Sequence, residues 1–199
     1  MQEIELKKKS ALIASSMLIS ASLQVFQPYF IYWRYDLWVE PWRIWTAHWV
    51  HVGWIHYLLN MLAFICLPFI FPRFKNRYLL SLILFLPMAI SLSFYFIYPS
   101  IQAYAGFSGV LHGIYVAVAL LYLQFAKERK FALLILALVL IKLVGENIFA
   151  PSQTAALIGS PVLTEAHVLG AVWGAVFAGM FMSWTWFKQR ITHQNKTKL

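Results

Sequence analysis

Four polar side chains interrupt apolar stretches of this sequence with the residue types that acyl transfer needs. Ser108 stands in Gly106-Phe107-Ser108-Gly109, and His167 opens a second stretch as Ala166-His167, with Gly170 and Gly174 behind it. A serine hydroxyl becomes a useful nucleophile when an imidazole, with an ordinary pKa near 6.5, takes its proton. A serine at a helix start also feels the positive end of the helix dipole, which favours developing negative charge. Taken alone, Gly-x-Ser-Gly equally describes a helix-packing seam, and His167 alone equally describes an interfacial aromatic. Acylation further requires donors aimed at the oxyanion, each contributing about 2.7 to 4 kcal/mol. His56 and Asn60, four residues apart and so on one helix face, are candidates for that task or for an ordinary interhelical hydrogen bond.

Three more ionisable groups fall in apolar sequence: His112, Lys142 and Glu146. A charge at mid-helix in a bilayer costs about 2.5 to 3.5 kcal/mol on the insertion scale, so such residues mark functional candidates. Lys142 and Glu146 have the spacing of an ion pair on one helix face. Mutual neutralisation accounts for them, and so would orienting a substrate or a histidine. Counted at 1.5 Å per residue from the nearest basic flank, Ser108, His167 and His56 lie roughly 28, 32 and 26 Å up their helices. On the same scale Lys142 and Glu146 lie at about 18 and 24 Å. Residues from several helices at one height are what a shared site requires. Asp36 and Glu40 belong to a loop, and Glu165, two residues from His167, faces elsewhere, so the expectation is a Ser108–His167 dyad. His48 and His51 are expected to be structural loop groups. No metal and no cofactor are expected.

The elements that must position these groups are membrane helices. The chain is 61% hydrophobic, 18% aromatic and only 12% charged, about half the charge of a soluble domain. Its apolar residues form six blocks, approximately 10–29, 54–71, 78–98, 106–126, 131–149 and 164–187, each long enough to approach the ~30 Å of a hydrocarbon core. The first is read as a retained span, since no small-residue cleavage site follows it. At 199 residues the chain is one domain, 1–199, with no soluble domain expected at either end. Cys66, the one cysteine, excludes an internal disulfide. Five tryptophans between residues 30 and 53 suggest a loop lying partly in the membrane interface.

The net charge of +9 would point to nucleic acid in a soluble chain, but its placement points elsewhere. Lys7, Lys8 and Lys9, then Arg73, Lys75 and Arg77, then Lys127, Arg129 and Lys130, then Lys188, Arg190, Lys196 and Lys198 make 13 of 16 basic residues. With six alternating spans these groups share one side, and the positive-inside rule makes that side cytoplasmic, with both termini there. No nucleic-acid partner is expected, because no basic run exceeds three residues.

Three blocks together give the sequence a resemblance to the rhomboid intramembrane proteases: Trp42-Arg43 with His51, His56 and Asn60; Gly106-Phe107-Ser108-Gly109; and Ala166-His167-Val168-Leu169-Gly170 with Gly174. The resemblance covers all six blocks and implies an all-α, six-helix membrane bundle. It implies Ser108 as nucleophile, His167 as general base, and His56, Asn60 and the Ser108 amide as oxyanion donors. Gly106, Gly109 and Gly170 would support the site, and Trp42 and Arg43 would belong to a membrane-dipping loop. Where many rhomboids carry a tyrosine four residues after the serine, stacked on the histidine, this chain has His112. The run Gly-Phe-Ser-Gly-Val-Leu-His-Gly, the minimal length, and the pair Lys142 and Glu146 resemble the bacterial rhombosortase branch.

That likeness implies an enzyme of the bacterial inner membrane whose site opens to the periplasmic side. Its substrates would be membrane-anchored exported proteins ending in a Gly-Gly motif, a transmembrane stretch and a basic tail, with an amine as a candidate resolving nucleophile. A rhomboid protease without a sorting role, or a non-catalytic binder of transmembrane helices, are the alternatives. A transporter is disfavoured because the halves show no repeat. The sequence carries no signal of oligomeric state; the lipid bilayer is the one constant partner.

Overall fold

The computed structural model describes residues 2–148 and 153–196. The end of the fifth expected block at residue 149, the start of the following external segment, and Lys198 lie outside the described residues. A first helix, α1 (Gln2–Val25), ends where Pro28 enters a 3-10 turn. A two-residue strand, β1 (Tyr32–Trp33), and a one-turn helix, α2 (Arg43–Thr46), follow in the tryptophan-rich loop. Then come α3 (Trp54–Ile70), α4 (Asn76–Ile97), β2 (Ala103–Tyr104) and α5 (Ser108–Tyr122). The chain continues with α6 (Arg129–Ile148), the short α7 (Gln153–Ile158) and α8 (Thr164–Lys196).

Each apolar block holds a helix, but the ends differ from those read in the sequence. The first helix begins earlier, so Lys7–Lys9 ride on it rather than precede it. Lys9 is buried, and its Nζ donates to the carbonyls of Phe71 and Pro72 at 3.3 and 3.1 Å, capping α3 where a helix leaves carbonyls unpaired. The fourth block, expected over 106–126, yields only Ser108–Tyr122. Gly106 breaks it at one end with φ +152°, and Arg129 Nε takes the Leu123 carbonyl at the other. Three helical stretches are long and apolar enough to cross a membrane: Asn76–Ile97, Arg129–Ile148 and Thr164–Lys188. Trp54–Ile70 and Ser108–Tyr122 are shorter apolar helices.

α5 is the axis of the bundle, with 12 of its 15 residues buried. It packs most extensively on α8, and glycines make the approach possible. A Cβ at Gly109 would stand 2.7 Å from the Ala166 carbonyl oxygen; one at Gly170 would overlap the Gly109 carbonyl, and one at Gly174 that of Gly113. Backbones this close gain dispersion contacts that apolar lipid cannot replace. α6 differs: Ala132 is its only fully buried residue among those described, and most of its residues are exposed.

Loop residues 26–53 are held by polar contacts that water would otherwise supply. Arg43 donates to the Glu40 carboxylate and to the carbonyls of Ile31 (2.7 Å) and Pro28 (3.2 Å), while Thr46 reaches Phe30 O at 3.0 Å. Arg34 caps α4 through the carbonyls of Phe94 and Tyr95. Gln24 on α1 pairs with both backbone groups of His51, at 2.8 and 2.7 Å. β1 then joins β2 antiparallel, Tyr32 opposite Tyr104, and Gly106 N donates to Ala47 O at 3.0 Å. The loop thus grips the segment that leads into α5.

His48 is fully buried in that loop. The Ser91 hydroxyl donates to Ile44 O at 2.9 Å, so His48 Nε2, 3.0 Å away, must be the donor to the Ser91 oxygen. Burial pushes the imidazoles of His48 and His51 down to about 3, His56 adding to the effect at His51. Both are therefore neutral when folded at neutral pH.

Two outcomes follow from this packing. Gly170→Ala is expected to destabilise the bundle by about 1 to 3 kcal/mol or more, as overpacking does, read as a lower unfolding temperature in detergent; Gly145→Ala, which meets nothing within 4 Å, should have little effect. Acidification should also destabilise the fold. The unfolded state binds protons at His48 and His51 from about pH 6.5 downward while the folded state does not until about 3. Stability should therefore fall across that window by about 1.4 kcal/mol per pH unit for each histidine. His48→Asn keeps a donor for Ser91 but cannot titrate, and should shrink the acid-induced drop in unfolding temperature; an unchanged drop would exonerate His48.

Candidate active site

Ser108 is the first residue of α5, and its position is set from behind. Phe107 is fully buried, stacked on Trp49 at 4.5 Å and edge-on to Phe64 at 5.1 Å. Tyr104 closes the preceding turn by donating to Gly106 O at 2.6 Å. Gly106 lies in a backbone region that L side chains avoid, and a Cβ there would come within 2.9 Å of His56 Cε1. Glycine at 106 therefore both permits the turn and admits the histidine.

The glycine seam between α5 and α8 brings His167, in the first turn of α8, over Ser108. His167 Nε2 lies 2.7 Å from Ser108 Oγ. Its Nδ1 lies 2.7 Å from Glu146 Oε2 on α6, and Glu146 Oε1 is taken by Lys142 Nζ one turn earlier. A carboxylate only accepts, so Nδ1 carries the hydrogen, and Nε2 of the neutral ring is left with a lone pair facing the serine hydroxyl. His112 stacks on His167 at 4.2 Å and 17°. Its own Nδ1 donates to Ser108 O at 2.7 Å, which fixes the ring plane. The imidazole thus replaces a stacking aromatic and adds a tie to the serine backbone.

The geometry adds a contact that the dyad expectation did not include: Glu146 Oε2 reaches His167 Nδ1. Lys142 and Glu146 form the ion pair that their spacing suggests, but it is buried on one side only: the Glu146 side chain is 6% exposed and that of Lys142 is 46% exposed. Lys142 has a long flexible stem and turns its ammonium toward the cavity, where a charge is better solvated. Helix rotation, invisible to a count of residues from the flank, is what turns Glu146 toward His167.

A cavity of about 620 Å³ opens beside Ser108 and His167, lined among others by His56, Asn60, Tyr104, His112 and Lys142, with apolar walls from α3 and from α7 and its following loop. His56 Nδ1 and Asn60 Nδ2 have no hydrogen-bond partner among the described residues. A buried polar atom without a partner is costly. Trp42 and Arg43 do not reach the cavity. Arg43 anchors the loop, and Trp42 is exposed with its Nε1 3.3 Å from Tyr29 O. Gly109 and Gly170 act through the seam. Tyr104, which the sequence reading did not single out, has no sequence signal beyond its place just before the glycine turn.

His112, Glu146 and His167 offer ligand atoms within 4.8 Å of one another. Their lone pairs do not converge, however: the two rings are nearly parallel, and both Nδ1 atoms face acceptors.

The family model described as the Rhomboid domain matches residues 39–184, more than half of the chain, from the tryptophan-rich loop through most of α8. A search of curated proteins gives no match. The matched stretch contains the loop, the serine turn, the glycine seam and His167, and the chain belongs to the rhomboid family, whose members are generally intramembrane serine proteases.

Proposed function

We propose that this protein is an active intramembrane serine endopeptidase, with Ser108 as nucleophile and His167 as base. The observation that carries the reading is the 2.7 Å approach of Ser108 Oγ to His167 Nε2 at the wall of a cavity that His56 and Asn60 also line. As Oγ bonds to the scissile carbonyl carbon, its proton passes to Nε2. His56, Asn60 and the Ser108 amide meet the negative charge on the carbonyl oxygen. When the intermediate collapses, the C–N bond breaks and the imidazolium returns the proton to the departing amine. The acyl group stays on Ser108 until a second nucleophile, deprotonated by His167, displaces it and restores the hydroxyl.

The bilayer setting fits this chemistry. At 1.5 Å per residue the 15-residue α5 is about 22 Å long, short of the ~30 Å hydrocarbon core. Six spans, with basic flanks and both termini in the cytoplasm, put Ser108 a few ångströms below the outer surface. Irregular backbone at that depth is tolerable only when enclosed by protein or lining a cavity: Tyr104, Gly106 and Phe107 are buried, and Ala103 and Ala105 line the cavity. Substrates are then membrane-anchored proteins cut near the outer face.

The finer reading is a rhombosortase of the bacterial inner membrane, acting on C-terminal Gly-Gly, transmembrane and basic tails. It is supported by Gly-Phe-Ser-Gly-Val-Leu-His-Gly and by Lys142 with Glu146. Transfer to an amine instead of water would leave a modified C-terminus on the released protein, detectable by intact mass.

Ser108→Ala is expected to leave the unfolding temperature unchanged and to cause uncleaved precursor to accumulate in cells; normal processing would contradict the assignment. Asn60→Ala should lower kcat by about 10²- to 10³-fold with KM nearly constant, the signature of an oxyanion donor. A rise in KM at constant kcat would assign Asn60 to substrate binding instead.

A further inference from the structure

The Glu146 side chain is only 6% exposed, on a helix that otherwise buries little. Ala132, near the opposite end of α6, is its one fully buried residue among those described, and its outward positions are mainly leucine, isoleucine and valine. At the Glu146 end, three polar contacts replace packing. Glu146 Oε2 meets His167 Nδ1 at 2.7 Å, Oε1 meets Lys142 Nζ, and Asn147 Oδ1 accepts from Thr164 Oγ1 at 3.3 Å. Two of these go to the first turn of α8, the turn that carries the base.

Desolvating a carboxylate is expensive unless a charge and hydrogen bonds compensate. Lys142 supplies the charge on one oxygen and leaves the other free to address the imidazole. With Glu146 at its edge, His112 on its face and Ser108 at its far nitrogen, the His167 ring has no free rotation.

We propose that Glu146 is a positioning residue for the base, holding His167 in the tautomer that bears hydrogen on Nδ1 and stabilising the imidazolium formed when Nε2 takes the serine proton, with Lys142 locking the carboxylate in place. This rests on the Ser108–His167 reading above. The site is then a three-membered line spread over α5, α8 and α6, and its third member arrives on a long helix with one fully buried residue among those described. Full catalytic competence consequently requires α6 to be docked against the start of α8.

The test uses the full-length enzyme in proteoliposomes with a cleavable membrane-anchored substrate. Glu146→Gln keeps the shape and removes the charge. It is expected to lower kcat by about 10²- to 10⁴-fold, the range seen when an orienting carboxylate is neutralised in a serine protease, with KM within about threefold of the original. Because Glu146→Gln also strands Lys142, the double variant Lys142→Met with Glu146→Gln is measured beside it. The double variant should recover unfolding temperature but not kcat. Near-original kcat in either variant would overturn the proposal, the double showing that Glu146 serves only to neutralise Lys142. A rise in KM at constant kcat would overturn it as well. Ser108→Ala separates the two claims: full activity there removes the underlying Ser–His reading, whereas an inactive Ser108→Ala beside a fully active Glu146→Gln removes only the role of Glu146.

Discussion

The closest approach in this bundle is between backbones, where Gly109 and Gly113 of α5 meet Gly170 and Gly174 of α8 with no room for a side chain on either surface. The rest of the site inherits its geometry from that contact. A serine Oγ and an imidazole Nε2 meet at 2.7 Å only if their two helices nearly touch, because the serine side chain is short. In lipid, where apolar burial gives helices little reason to associate, close backbone packing supplies much of what holds such a pair together. The seam is therefore at once a close-packed contact of the bundle and what brings Ser108 and His167 together.

Around the seam the polar groups are arranged by the rule that desolvated donors and acceptors must be paired. Arg43, Arg34, Gln24 and Lys9 each spend their donors on loop or helix-end carbonyls, which fixes the loop without solvent. His112 and Glu146 pair with the Ser108 carbonyl and with His167. His56 and Asn60 line the cavity beside Ser108, and His56 Nδ1 and Asn60 Nδ2 are among the buried atoms, with the ring nitrogens of His51 and the hydroxyls of Tyr32 and Tyr122, that find no partner among the described residues.

Much of this could be read in the sequence because the bilayer constrains it so strongly. Hydropathy located the helices, and glycines at four-residue spacing around Ser108 and His167 signalled which two would pack. Helix ends were less legible: Gly106 terminates α5 through its φ, and Lys9 reads as a flank although it caps another helix. The contact of Glu146 with His167 stays one alternative among several in the sequence, for a definable reason. Counting along a helix gives depth, but depth says nothing about rotation or about which helix is adjacent. Arg43 was similarly visible as part of a motif, while its task of tying carbonyls together depends on contacts from residues 12 to 15 positions away.

The central claim, that Ser108 is a nucleophile activated by His167, is tested most directly by reaction with a fluorophosphonate probe in intact membranes, followed by peptide mapping of the adduct. The account requires one stoichiometric adduct on Ser108 that is lost in His167→Ala while the protein remains folded and inserted. Labelling at another residue, no labelling of the folded protein, or undiminished labelling of His167→Ala would contradict it.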